Sequence, residues 1–207
     1  MQPSDRLETI LKIFQEINAI PRCSKKEERI AGYLKKRAED AGFSVRQDAV
    51  GNLSIRVPAA AGGEDAQAVV LQGHMDMVCE KRSDSTHDFS KDPIRMHRDG
   101  DWLKADGTTL GADNGIALAL ALALAEDESL ARPPLELLFT VDEETGLTGA
   151  NGMEKDLIQG RILLNIDSED EGIFTVGCAG GVESRIKKSI DFAPIEPDAA
   201  LFQLEAG

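Results

Sequence analysis

Ala68-Val69-Val70-Leu71-Gln72-Gly73-His74-Met75-Asp76 runs from a continuous apolar stretch straight into an imidazole and a carboxylate. Four apolar residues in a row, preceded by a polar loop, read as a buried strand. The same order recurs twice. Residues 135–141 lead into Asp142-Glu143-Glu144-Thr145-Gly146, and residues 161–166 lead into Asp167-Ser168-Glu169-Asp170. Both are predicted as buried strands. Residues 114–130 are rich in Ala and Leu and apolar on most sides, which predicts a helix buried against a sheet. Strands interleaved with helices give the fold class: α/β, with a mixed, mainly parallel sheet flanked by helices.

Outward from that core, the amino-terminal segment reads as two amphipathic helices. Leu7, Ile10, Leu11, Phe14 and Ile17 recur at helical spacing over residues 4–20, and Pro21 stops the pattern. In the second helix Ile30, Tyr33, Leu34, Ala38 and Ala41 form the inward stripe. Ser24 and Glu27 have capping-box spacing at its start, and Gly42 supplies its stop. Residues 43–50 and 52–57 read as a hairpin around Gly51, followed by a surface loop over residues 58–67. Residues 79–107 are dense in charge and predict an extended loop or small hairpin.

Composition narrows the function. With 23 basic and 37 acidic residues the net charge is -14, which repels phosphate backbones and anionic membrane surfaces, so neither nucleic acid nor a membrane is an expected partner. The first ten residues lack a leader pattern, and the longest apolar run, residues 116–125, is too short to span a bilayer. The expected location is the cytoplasm. Cys23, Cys79 and Cys178 are odd in number and widely spaced, so reduced thiols are expected.

Each strand therefore ends in residues that bind hard or borderline cations, and Asp113 starts the apolar helix in Gly111-Ala112-Asp113-Asn114-Gly115. In open α/β sheets functional groups gather at the carboxyl ends of strands and the amino ends of the following helices. Singly, Asp113 reads as a helix cap and the adjacent glutamates as a solvated turn. Together, one imidazole and several converging carboxylates make a metal site. His74 offers a ring nitrogen, and Asp76, two residues on, can accept the other ring N–H. Asp113 can present its two oxygens to two cations. Of Glu143 and Glu144, one can bind metal while the other serves as general base in amide hydrolysis. Met75 and Met77 read as core fillers.

At these residues the sequence resembles the zinc aminoacylase and carboxypeptidase clan, and within it the aminoacyl-histidine (Xaa-His) dipeptidases. Besides the motifs above, Ile20-Pro21-Arg22, Leu71 to Lys81 with its Gly73-His74-Met75-Asp76, Thr108-Thr109-Leu110-Gly111 and Asn165-Ile166-Asp167-Ser168-Glu169 carry the resemblance. It implies a zinc-peptidase-like catalytic domain that uses two divalent ions, zinc or else cobalt or manganese. It assigns His74 and Asp167 to one ion, Glu144 to the other and Asp113 to both, with Glu143 as general base and Asp76 orienting His74. The implied reaction is hydrolysis of a small dipeptide, with N-acyl amino acids or longer peptides as the alternative substrates. The full-length protein is implied to be a homodimer. Family members carry a lid domain and a late histidine ligand, whereas the last histidine here is His97. Residues 1–179 are thus expected to be the amino-terminal part of the catalytic domain and residues 180–207 the first strands of a truncated lid, with a non-catalytic fragment as the rival reading.

Overall fold

The computed structural model describes residues 3–60, 62–168, 172–177, 180 and 186–189. In chain order the elements are helices α1 (Pro3–Asn18) and α2 (Glu28–Asp40), then strands β1 (Ser44–Gln47), β2 (Leu53–Val57) and β3 (Val69–His74). Strands β4 (Met96–Asp99) and β5 (Trp102–Ala105), helix α3 (Ala112–Glu126), strand β6 (Leu135–Thr140), helix α4 (Thr148–Gly152) and strand β7 (Ile162–Asn165) follow. The main sheet has the order β1-β2-β6-β3-β7. β3 runs parallel to both β6 and β7, whereas β1–β2 and β2–β6 are antiparallel, so the sheet is mixed as expected. β4 and β5 form a separate hairpin inside the charged stretch.

The period of two along a strand sorts the core. Leu135, Leu137, Phe139 and Leu71 face one side, where they join Ile13, Phe14, Ile17, Leu34, Leu118 and Leu122 from α1, α2 and α3. Val70 and Leu138 face the other and pack on Leu157. α3 is apolar nearly all round because it is sandwiched: α1 lies against one flank, and β3 and β6 against the other. Register places the ends of β3 and β6 side by side, with His74 opposite Thr140 and Met75 N donating to Thr140 O at 2.8 Å. The residues that follow the two strands therefore emerge at the same edge of the sheet.

Three expectations change. The strand read over residues 161–166 is not buried: Ile162, Leu163 and Leu164 are each close to half exposed, because β7 is a sheet edge that pairs only with β3 among the described residues. Ser24 does not cap α2; Glu27 takes the cap position without a side-chain cap bond, and the Ser24 hydroxyl is bonded elsewhere. Gly42 does supply the stop, at φ +80°, with Phe43 N reaching back to Ala38 O. Third, Cys23 and Cys79 are joined in a disulfide across 56 residues rather than standing as two thiols. Sequence spacing hides the pair because the linker after α1 runs beside the segment after β3, with Cys23 and Met77 in a parallel bridge.

The chain divides into two compact units, Met1–Glu169 and Asp170–Gly207. The first holds every element above. The expected boundary at 179/180 and almost all of the expected lid strands fall outside the described residues. No helix among the described residues is long and apolar enough to cross a membrane.

The sandwiched placement of α3 makes its two leucine faces unequal. Leu118 is fully buried and Leu120 is 39% exposed. Leu118→Ala is expected to destabilise the chain by about 2–5 kcal/mol in urea unfolding, and Leu120→Ala by less than about 1 kcal/mol. Equal losses would contradict this packing.

Candidate metal centre

β3 delivers His74 to the edge of the sheet, where its ring is 1% exposed. Its Nδ1 lies 3.1 Å from Asp76 Oδ1, and its Nε2 lies 2.9 Å from Asp113 Oδ1 and 3.8 Å from Asp167 Oδ1. The expected convergence of β3, the start of α3 and the end of β7 is therefore observed. Asp76 is completely buried and fully engaged. Its Oδ1 accepts from His74 and from Glu143 N at 3.0 Å, and its Oδ2 accepts from Ser24 Oγ at 2.8 Å and Glu144 N at 3.3 Å.

The two glutamates reach the site through a sharp turn. Asp142 leaves the strand at φ +48°, and its carboxylate accepts the hydroxyls of Thr145 and Thr148. That turn aims the amide N–H groups of both Glu143 and Glu144 at Asp76 and leaves the two side chains half-buried beside His74. Asp113 sits in the first turn of α3 outside helical φ/ψ, after Gly111 at φ +68°. Its side chain is 57% exposed.

Two overlapping sets of donors result. His74, Asp113 and Asp167 form one, and His74, Glu143 and Glu144 form the other, each with ligand atoms within 4.8 Å of one another. A third set, Glu27, Asp76 and Asp142, is fully buried. The oxygens of Asp76 and Asp142 are taken up by the hydrogen bonds just described, and Glu27 Oε1 accepts from Lys25 N and Asp142 N. Among the described residues neither His87, His97 nor Cys79 joins a donor set.

Sequence reasoning overlooked several supports. Asn114, 3% exposed, accepts from His74 N at 3.1 Å and donates to Ile166 O and to Asp167 Oδ1 at 2.9 Å, so one amide ties three segments together. A side chain at position 73 would overlap Asn114 Oδ1, which is why glycine precedes His74. The signal was present in the unusual placing of Asn and Gly beside the two candidate ligands, but a helix start explains Asn equally well. Ser24, Glu27 and Arg22 were also missed as supports.

The titration behaviour follows from this crowding. Burial disfavours the His74 cation, but the hydrogen bond to Asp76 and the charges of Asp167 and Asp76 outweigh it and lift the ring to about 9. Burial likewise works against ionised Asp76, yet bonds from His74, Glu143 N and Ser24 pull it down to about 2. Glu143 and Glu144 are both raised, first by burial and then by neighbouring carboxylates, with His74 opposing. In the metal-free site the imidazole thus carries a proton between carboxylates, the place a cation would take. The residues fit a divalent ion: one imidazole nitrogen and several ionisable oxygens, with like charges waiting to be neutralised.

An α/β sheet of this order with an imidazole and carboxylates at its strand ends defines a candidate metal-binding α/β protein. The model of peptidase family M20/M25/M40 matches residues 70–199. The sequence is 47% identical over 192 residues to the cytosol non-specific dipeptidase of Escherichia coli K12, covering 93% of this chain and 40% of that protein. The aminoacylhistidine dipeptidase of Vibrio alginolyticus superposes with a TM-score of 0.77 at 48% identity, over 79% of this chain and 34% of that one. Aminopeptidase PepT of Bacillus cereus shares the fold, with a TM-score of 0.65 at 24% identity, over 79% and 44% of the two chains. The chain belongs to peptidase family M20/M25/M40. It spans about two fifths of the length of the Escherichia coli dipeptidase.

The shifts set a pH dependence for the metal-free chain. His74 is raised from 6.5 to about 9, so its contribution to stability is complete below 6.5 and lost as pH rises through about 9. Asp76 is lowered from 3.8 to about 2, so its contribution is complete above 3.8 and lost as pH falls through about 2. Glu143 and Glu144, being raised, weaken the fold as pH rises from the ordinary carboxylate range through their elevated values. Calorimetry in chelator is expected to show Tm falling between pH 6.5 and about 9, and His74→Gln should flatten that fall. A Tm that rises over this interval would contradict the assignment.

Proposed function

We propose that this chain carries the metal-binding half of a dipeptidase that hydrolyses small dipeptides of the Xaa-His type. The observation that carries the reading is the His74 ring held between Asp76 on one nitrogen and Asp113 with Asp167 on the other. The Escherichia coli relative is named a non-specific dipeptidase and the Vibrio alginolyticus relative an aminoacylhistidine dipeptidase, which supports dipeptides as the substrate class. In this reading His74 and Asp167 would hold one divalent ion and Glu144 a second, with Asp113 serving both. The ions would be zinc, with cobalt or manganese as substitutes. When bound, they polarise the substrate carbonyl and stabilise the negative charge that develops on its oxygen.

The chain's own residues do the rest. Asp76 keeps the His74 Nδ1 proton in place, which turns Nε2 toward the ligands. Glu143 takes a proton from the attacking water on a carboxylate oxygen and passes it to the departing amine. Its raised pKa suits both halves of that transfer, since a stronger base takes the proton more readily and remains able to release it. Its amide N–H, bonded to Asp76, fixes the backbone from which the side chain swings.

Further parts of the reading concern the whole protein: a lid beginning near residue 180, a homodimer, and a cytosolic location.

Zinc titration and dipeptide hydrolysis test this directly. Glu143→Gln is expected to lower hydrolysis of an Xaa-His dipeptide about a thousandfold while zinc content stays unchanged. Unchanged turnover would refute Glu143 as base. Faster hydrolysis of N-acyl amino acids would move the substrate within the family. One ion bound without turnover would favour a non-catalytic fragment.

A further inference from the structure

Arg22 is the bulkiest fully buried side chain among the described residues, and it has no counterpart in the chemistry above. A guanidinium is costly to bury, so its bonds have to be accounted for. Nη1 donates to Met75 O at 3.2 Å and Asp76 O at 3.0 Å, and Nη2 donates to Gly111 O and to Asn18 Oδ1 at 3.3 Å. Two of these carbonyls belong to the segment that carries His74 and Asp76. The third lies two residues before Asp113. Arg22 therefore grips, from behind, the backbone of two segments whose side chains meet at His74 Nε2.

Space has been cleared for it. A Cβ at Gly111 would come within 2.5 Å of Nη2, and one at Gly115 within 2.6 Å. The glycines on either side of Asp113 are thus the gap into which the guanidinium fits. The remaining connections of the same linker lead to the same place: Ser24 bonds Asp76, Cys23 bonds Cys79, and Glu27 accepts Asp142 N.

We propose that Arg22 is a positioning residue for the metal centre: its planar fork holds residues 75–76 and Gly111 at the separation that lets His74 and Asp113 share one cation. This rests on the metallopeptidase reading above. Lysine keeps the charge but cannot reach three carbonyls from one plane, and glutamine loses the charge as well. The sign of the effect separates positioning from simple electrostatics. Removing a buried positive charge beside carboxylates would by itself tighten cation binding, whereas loss of position weakens it.

The experiment uses the 207-residue chain, with zinc affinity measured by chelator competition and amide exchange measured without metal. Arg22→Lys and Arg22→Gln are each expected to weaken zinc about tenfold. Exchange is expected to quicken about tenfold at Met75, Met77 and Gly115, whose N–H groups bond Thr140 O, Arg22 O and Gly111 O within and beside these segments, while β2 and the rest of β6 stay protected. Tighter zinc in Arg22→Gln, unchanged zinc in Arg22→Lys, or unchanged exchange would overturn the proposal. If the Arg22 variants do not fold, Asn18→Ala removes one acceptor of Nη2 and is expected to weaken zinc about threefold, with no change overturning it. Wild-type chain that binds no zinc would defeat the metallopeptidase reading, and the exchange data would still decide whether Arg22 sets the position of these segments.

Discussion

The buried carboxylate of Asp76 is the constraint on which this arrangement depends. A lone ionised carboxyl in a protein interior is prohibitively costly, and here four donors from three separate segments remove that cost. Those donors are a ligand's ring, a linker hydroxyl and the amides of two adjacent glutamates. Satisfying one carboxylate therefore orients His74, closes the linker between α1 and α2 against the sheet, and sets the turn that presents Glu143 and Glu144. Fold and site are joined at a single group.

The opposing pressure is charge. Asp113, Asp167, Glu143 and Glu144 surround one imidazole in a chain whose net charge is already -14. Burial, with repulsion from neighbouring carboxylates added, leaves both glutamates raised, and attraction to Asp76 and Asp167 favours the protonated His74 ring. Burial of Arg22 behind the site offsets part of this; although burial lowers its pKa to about 10, the guanidinium stays charged at neutral pH, favoured by Asp76, Asp113 and Glu144. Such a site is strained electrostatically without cations and relaxed with them, which is the physical basis for the proposed metal dependence.

Much of this could be read from the sequence because the strands have a simple grammar: an apolar run, then a carboxylate or imidazole. That grammar located β3, β6 and β7 and brought His74, Asp113, Glu143, Glu144 and Asp167 to one edge. It misjudged β7, since an apolar run looks the same whether one or both faces are covered. It also paired Ser24 with Glu27 as a cap, because local spacing cannot reveal that a hydroxyl is bonded to Asp76, 52 residues away. Arg22, Asn114 and the Cys23–Cys79 pair were illegible for the same reason. Their partners are backbone atoms or residues far along the chain, and no periodicity marks a long-range hydrogen bond.

Diffraction at the zinc absorption edge, from crystals grown with zinc, tests the central claim most directly. The account predicts two anomalous peaks, one bounded by His74 Nε2, Asp113 and Asp167 and the other by Asp113 and Glu144, with Asp76 still bonded to His74 Nδ1. Zinc seated instead among Glu27, Asp76 and Asp142, or no peak beside His74, would contradict it.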